Sequence, residues 1–239
     1  RSRPDAVRRS AAHVHQYRIT VSDGTVQTTD SIRTFSTAAY SGGGLPGGWA
    51  SVDIGNVSQS QPGSATFDAG ADGGSFVVRG TGTDVYYAAD SFHFVYHPVS
   101  GDFTFTLRVA GWYGYLQLYT KAMTMFRTDL VADSRMFNQS LNYSGDDFLY
   151  YRPSQGVTHV DVFATQLNPG MGPPVWARLK RVGDTFTEYY SYDGSTWMVN
   201  GPAGGTTVPM PSDGYVGFGV CSKSNTYLSE IVYSDVTLN

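Results

Sequence analysis

The stretch Trp176–Trp197 constrains the fold more than any other part of the chain. Apolar and polar residues alternate through Ala177-Arg-Leu-Lys180, Gly183-Asp184 can turn the chain, and Thr185–Tyr192 is rich in β-forming side chains. A period of two sends alternate side chains to opposite faces, which is the signature of a strand with one face in a core. Asp193-Gly194 predicts a type I′ turn, because both central residues of that turn need positive φ. Three consecutive antiparallel β-segments are therefore expected here.

The same grammar runs along most of the chain. Strands are predicted at 49–54, 65–67, 75–79, 92–97, 103–109, 115–119, 121–127, 135–143, 147–152, 158–164, 175–182, 185–192, 196–199, 214–222 and 228–238, with a single helical turn over Asp84 to Ala89. Abundant turn formers (28 Gly) beside 17 Tyr and 13 Phe, with no sustained helical period, point to an all-β protein. At 239 residues the chain can bury one full sandwich core. Many short strands without crossover helices predict two antiparallel sheets packed face to face. No run of 18 apolar residues predicts a membrane span.

The N-terminal part reads differently. Arg1 rather than Met opens the chain, as expected of a processed product or a fragment, and residues 1–14 read as a disordered basic tail. The net charge of −4 is uneven: residues 1–18 carry five Arg and one Asp, so the rest is acidic. An acidic body offers no basic groove for phosphates, which argues against a nucleic-acid partner. Residues 15–40 predict a β-hairpin around Asp23-Gly24, and Ser41–Gly48 a glycine-rich linker, leaving residues 49–239 as the sandwich. A lone hairpin is marginal in water, so residues 15–36 are expected to close an upstream domain, dock on the main body or pair with another copy.

Several segments in register resemble a known family. These are Trp49 with Asp53-Ile-Gly55, Phe76-Val-Val-Arg-Gly-Thr-Gly82, Asp90-Ser-Phe-His-Phe-Val-Tyr-His-Pro-Val-Ser-Gly-Asp102, Lys121-Ala-Met-Thr-Met-Phe-Arg127, Tyr151-Arg152, the Trp176–Trp197 stretch and Tyr215-Val-Gly-Phe-Gly-Val220. Their order is similar to that of concanavalin A-like jelly-roll domains of the laminin-G-like type, over residues 46–239. The resemblance implies a two-sheet antiparallel jelly roll, a form appended to secreted glycosidases, lyases and adhesive proteins. One fold hosts many activities, so function must be read from residues.

Hydrolysis of a glycoside usually needs two carboxylates about 5–10 Å apart. Hydrolases of the resembled fold carry Glu-x-Asp-x-x-Glu on one strand, whereas this chain has only Glu188 and Glu230, neither in that pattern. Glu188 shares a strand face with Phe186 and Tyr190 and reads as a hydrogen-bonded or edge residue. Lyases of the same fold carry Gln-x-His and Tyr-x-Lys-x-Gly strands. Tyr119-Thr-Lys121-Ala-Met123 approximates the second, the first is missing, and His93 and His97 read as structural. Asp68-Ala-Gly-Ala-Asp72-Gly and Asp146-Asp147 offer oxygens to Ca²⁺ without the twelve-residue loop spacing, so no metal or other cofactor is expected. The single cysteine, Cys221, reads as a small buried hydrophobe.

Aromatic surface remains. Trp112, Tyr113, Tyr115 and Tyr119 cluster in sequence, and Tyr86-Tyr87 and Tyr150-Tyr151 add pairs whose members should face opposite ways. Exposed rings stack on the C–H faces of sugars, with Arg152 a candidate hydroxyl partner. The sequence thus favours an extracellular or cell-surface module that binds carbohydrate through Trp112, Tyr113, Tyr115, Tyr119, Tyr86, Tyr87 and Arg152, and favours it over an enzyme. Asn-x-Ser triplets at Asn56, Asn138 and Asn142 fit the acceptors of a secreted glycoprotein. The alternatives are a filament or adhesive subunit that donates the hairpin of residues 15–36, and a polysaccharide lyase.

Overall fold

The computed structural model describes residues 44–70, 73–167 and 175–239 in full, together with four short strands before them. Residues Arg1–Gly43 and Gly44–Asn239 form two compact units. In the first, β1 (Val14–Tyr17) pairs antiparallel with β4 (Arg33–Ser36), and β2 (Thr20–Ser22) with β3 (Gln27–Thr29). The predicted tail, up to residue 13, and the linker before Gly44 lie outside the described residues.

The second unit begins with β5 (Ala50–Ile54), β6 (Ser64–Asp68), β7 (Ser75–Gly82), β8 (Asp84–Tyr86), β9 (Ala89–Ser100) and β10 (Phe103–Gly114). It continues with β11 (Lys121–Arg127), β12 (Met136–Asn142), β13 (Asp146–Arg152), β14 (Val160–Gln166) and β15 (Val175–Val182). The last strands are β16 (Thr185–Ser191), β17 (Met198–Asn200), β18 (Thr206–Thr207), β19 (Asp213–Cys221) and β20 (Ser224–Leu238). They make two eight-stranded antiparallel sheets. The first runs β17-β16-β15-β10-β20-β7-β6 with β18 beside β16, and the second runs β14-β13-β12-β11-β19-β9-β5 with β8 beside β9. This is the two-sheet antiparallel sandwich expected from the alternating pattern, in the jelly-roll form that the resemblance implies.

Between the sheets lies the main core, including Phe76, Val78, Val95, Phe105, Phe126, Phe137, Leu179, Phe186, Phe218 and Ile231. The second sheet is apolar on its other face as well, where Ile54, Phe92, Phe94, Met123, Met125 and Cys221 form a separate buried cluster. Val85, Leu130 and Ala132 cover it, so β8 and the segment between β11 and β12 act as a lid on that face. Glycine makes this packing possible. A Cβ on Gly217 would lie 2.0 Å from the Val95 carbonyl oxygen, and one on Gly219 would lie 2.8 Å from the Phe92 ring.

Three local expectations need correction. Residues 115–119 form no strand: Thr120 donates its N–H to the Gln117 carbonyl and its hydroxyl accepts from the Gln117 N–H, closing a loop after β10. Asp84–Ala89 is a two-residue hairpin rather than a helical turn, with Tyr86 paired to Ala89. Asp193-Gly194 is not type I′, because of the two only Gly194 has positive φ. The Asp193 carboxylate accepts the Ser195 and Thr196 N–H groups at 2.8 and 2.7 Å, which stabilises a longer loop.

Candidate functional site

The lid creates a cleft. Asp84, Tyr86 and Tyr87 from β8 and its turn face Tyr119, Lys121, Asn142, Phe148 and Lys223 across about 320 Å³. Tyr87 occupies the first central position of the β8–β9 turn with φ +55, where glycine would be the unstrained choice. Lys223, on the opposite wall, is also left-handed at φ +61. Two of the three non-glycine residues with positive φ among the described residues therefore line one cleft. Strain of this kind costs about 1–3 kcal/mol and persists only where its surroundings enforce it.

The enforcement at Tyr87 is visible. Its N–H donates to His159 Nδ1 at 2.8 Å, and its carbonyl accepts from the His159 N–H at 3.1 Å and from Arg152 Nη2 at 3.1 Å. Arg152 is fully buried, with further bonds from Nη2 to Asp90 Oδ1 at 2.6 Å and from Nη1 to the Ser134 carbonyl at 2.7 Å. All its nitrogens are engaged and none faces the cleft, so Arg152 is a support for the wall rather than a ligand partner. Asp90 also accepts from Arg127 Nη1 at 2.5 Å, and these three side chains pin the lid to the sheet.

The cleft's charges are arranged around Asp84. Its carboxylate bridges the ammonium of Lys121, at 2.8 Å, and that of Lys223. Burial pushes the Asp84 carboxyl up, but the two lysines outweigh it and hold the group below its ordinary value. The Tyr86 hydroxyl donates to Asp161 at 3.0 Å; burial and that carboxylate raise the phenol above its ordinary value. His159 stacks on the Tyr86 ring at 3.5 Å and is held below the ordinary imidazole value by burial, against the pull of Asp161. Nδ1 accepts from Tyr87, so the neutral ring carries its proton on Nε2, 3.3 Å from Asp161 Oδ1.

The structure thus separates the aromatic residues singled out in the sequence. Tyr86, Tyr87 and Tyr119 meet in the cleft, with Tyr87 65% and Tyr119 53% exposed. Trp112 packs against the main core and on Tyr143, while Tyr113 is exposed at the end of β10 and Tyr115 stacks on Tyr227. Tyr150 is wholly buried beneath the lid, its hydroxyl donating to the Val85 carbonyl, and Tyr151 is half-buried against the main core, so neither ring of that pair lines the cleft. Sequence reasoning did not place Asp84, Asn142, Phe148 or Lys223 in a binding site, and took Lys121 only as part of the approximate lyase motif. A usable signal existed in the scarcity of lysine: two of the chain's three line the cleft, and Lys121 is a cation at the start of a strand buried throughout.

Burial also distinguishes the glycosylation triplets. Asn56 is exposed, but Asn138 and Asn142 lie 0% and 2% exposed, too deep for a glycan to be attached to the folded chain. Cys221 is buried, and burial pushes its thiol up to about 12. Glu188 departs from its expected hydrogen-bonded role. It is 1% exposed, neither carboxyl oxygen has a hydrogen-bond partner among the described residues, and burial with the nearby Asp147 raises it well above the ordinary carboxylate value. Asp147 itself is pushed by burial to about 7 although Gln139 donates to it.

No protein-family model and no curated protein matches this chain. Among solved structures it is similar to a functionally unknown protein from Saccharomyces cerevisiae, with a TM-score of 0.59 and 18% identity over 80% of this chain and 96% of that one. It is also similar to a mutant of the GH43 protein BlXynB from Bacillus licheniformis, with a TM-score of 0.50 and 12% identity. That match covers 80% of this chain and 37% of the other. A third, the carbohydrate binding module CBM66 from Bacillus subtilis, aligns with a TM-score of 0.46 and 14% identity over 80% of this chain and 95% of that one. The likeness at these identities is one of fold: the chain is a two-sheet antiparallel β-sandwich.

Proposed function

We propose that the cleft between Tyr86, Tyr87 and Tyr119 binds carbohydrate and that the protein is a non-catalytic extracellular module. The observation that carries this reading is Tyr87, a large exposed ring held in a backbone conformation that favours glycine by a histidine and a buried arginine. A packing role would not call for a tyrosine there, since the ring points into solvent. Tyr119 supplies a second ring, and Asp84 and Lys223, both only partly buried, supply polar partners for hydroxyls. Cleavage by a lyase mechanism fits less well, because the ammonium of Lys121 is already bonded to Asp84 and to the Val85 carbonyl. The exposed Asn-x-Ser triplet at Asn56 supports a secreted protein.

Glycan-array screening followed by titration calorimetry tests the proposal. Tyr119→Ala should weaken binding by roughly 2–13-fold, the equivalent of about 0.5–1.5 kcal/mol for one aromatic contact. Tyr87→Gly is more discriminating: it should abolish the Tyr87 share of affinity while stabilising the fold by about 1 kcal/mol through relief of strain. Silence of the wild-type protein across every sugar class, or a loss of stability in Tyr87→Gly, would sink the reading.

A second reading, self-association through residues 15–36, is supported by the division of the chain into two units, the smaller holding only short paired strands among its described residues. Light scattering on the full chain and on a chain starting at Gly44 tests it; identical monomeric masses count against it.

A further inference from the structure

The interior of the sandwich contains a group of oxygens that nothing in the cleft explains. Asp147 on β13 and Glu188 on β16 belong to opposite sheets and are both buried, and Asn200, the ladder partner of Glu188, donates to Asp147 across the sandwich. Asp147 Oδ2 accepts two amide N–H bonds, from Gln139 Nε2 at 2.7 Å and from Asn200 Nδ2 at 2.9 Å. Gln139 is complete, since its Oε1 accepts from Thr124 at 3.1 Å. The remaining oxygens are not. Asp147 Oδ1, both oxygens of Glu188 and Asn200 Oδ1 have no partner among the described residues. Asn200 is 2% exposed and stands directly across the ladder from Glu188, so its amide oxygen belongs to the same locality.

Buried polar atoms without partners cost about 1–3 kcal/mol each, and unpaired carboxylates more. The orientation of the amides matters here. Both turn their N–H groups to one oxygen of Asp147, which leaves lone pairs rather than donors facing the remaining space. A set of four oxygen acceptors, three of them from two carboxylates and one from an amide, is matched by a hard divalent cation, whose charge would balance the two carboxylates. The flexible coordination of Ca²⁺ suits donors from three strands and two sheets better than the strict octahedron of Mg²⁺. Access is short: β14 and β17 are edge strands on the same side of the sandwich, and the cluster lies on β17 and on the strands next to these edges.

We infer that Asp147, Glu188 and Asn200 form a structural Ca²⁺ site between the two sheets, separate from the tyrosine cleft. The site ties β13 of one sheet to β16 and β17 of the other, so its effect is on stability.

The test uses the full chain. Protein purified without chelator should retain about one Ca²⁺ by elemental mass spectrometry. Stripping with EDTA should lower the melting temperature, and Ca²⁺, but not Mg²⁺ at equal concentration, should restore it. Glu188→Gln and Asp147→Asn should each weaken Ca²⁺ by at least the ~10–100-fold that loss of an outer-shell partner costs. Asp213→Asn, at an exposed carboxylate, should leave the affinity unchanged. Should both carboxylate variants fail to fold, Asn200→Ser replaces them, since it removes one ligand oxygen without changing charge, and weaker Ca²⁺ binding is again expected. Absence of bound Ca²⁺ together with a melting temperature indifferent to EDTA and Ca²⁺ overturns the inference. So does an affinity that none of the three substitutions alters.

Discussion

Replacing Asp90 with Asn tests whether the lid is held by charge. Asp90, Arg127 and Arg152 are all inaccessible to solvent, and one carboxylate serves two guanidinium groups through bonds of 2.5, 3.0 and 2.6 Å. The remaining guanidinium donors go to the backbone carbonyls of Asp129 and Val131 and the Met125 sulfur for Arg127, and to the carbonyls of Ser134 and Tyr87 for Arg152. The triad therefore already buries one excess positive charge. Asp90→Asn would leave two, and would turn an amide N–H toward at least one arginine. Removing one partner of a buried ion pair costs about 3–5 kcal/mol. For a protein of this size each kcal/mol moves the melting temperature by about 2–4 °C, which predicts a fall of roughly 6–20 °C.

Calorimetry and urea denaturation of wild type, Asp90→Asn, Arg127→Met and the double variant provide the assay. Arg127→Met in the Asp90→Asn background removes one of the stranded cations, so the double variant should recover about 1–3 kcal/mol relative to additivity. The carbohydrate-binding proposal adds a second readout, because Arg152 holds the Tyr87 carbonyl: Asp90→Asn should weaken any ligand that Tyr87 binds even under conditions where the variant is folded. A loss below about 1 kcal/mol, or strictly additive variants, would refute the argument that this triad fixes the lid.

Other consequences are simpler to check. His159 is kept neutral below its ordinary value of 6.5, so the stability it confers is complete above about pH 6.5 and is lost as pH falls toward its folded value. Its NMR titration midpoint should lie below 6.5, and a midpoint above it contradicts the Nδ1–Tyr87 hydrogen bond. Gly217→Ala should destabilise by about 1–3 kcal/mol in urea unfolding, since the added methyl meets the Val95 carbonyl and the Phe94 ring. Expressed in a glycosylating host, the chain should carry at most one glycan among its three Asn-x-Ser triplets, at Asn56. Mass spectrometry showing occupancy at Asn138 or Asn142 would mean that they are modified before folding.

The sandwich was legible because its signal is local. Alternation in Ala177–Lys180 and the two-residue link at Gly183-Asp184 act between neighbours in sequence, and the ladder between β15 and β16 follows from them. The lid was not, although its footprint was present. Every residue of Lys121–Arg127 is buried, as is every residue from Asp90 to Val95. Continuous apolar content such as Met123, Met125, Phe92 and Phe94 on the face opposite Phe126 and Val95 implies a strand covered on both sides. Such a run says that a cover exists without saying which segment supplies it. The segment that does so, Asp84–Tyr87, falls within the stretch read as a single helical turn because its own apolar contribution is only Val85 and two tyrosines, and its hold on the sheet comes from Asp90 reaching arginines distant in sequence. The cleft inherits this dependence. Tyr119 and Tyr87 become neighbours only through the packing of the lid on the second sheet, so the sequence offered Trp112, Tyr113, Tyr115, Tyr119, Tyr86 and Tyr87 as one set, whereas the fold brings together Tyr86, Tyr87 and Tyr119 with two lysines. Glu188 follows the same logic from the other side of the sheet: with no carboxylate near it in sequence it looked like an isolated strand residue, and only the packing of β13 over β16 brings Asp147 to it.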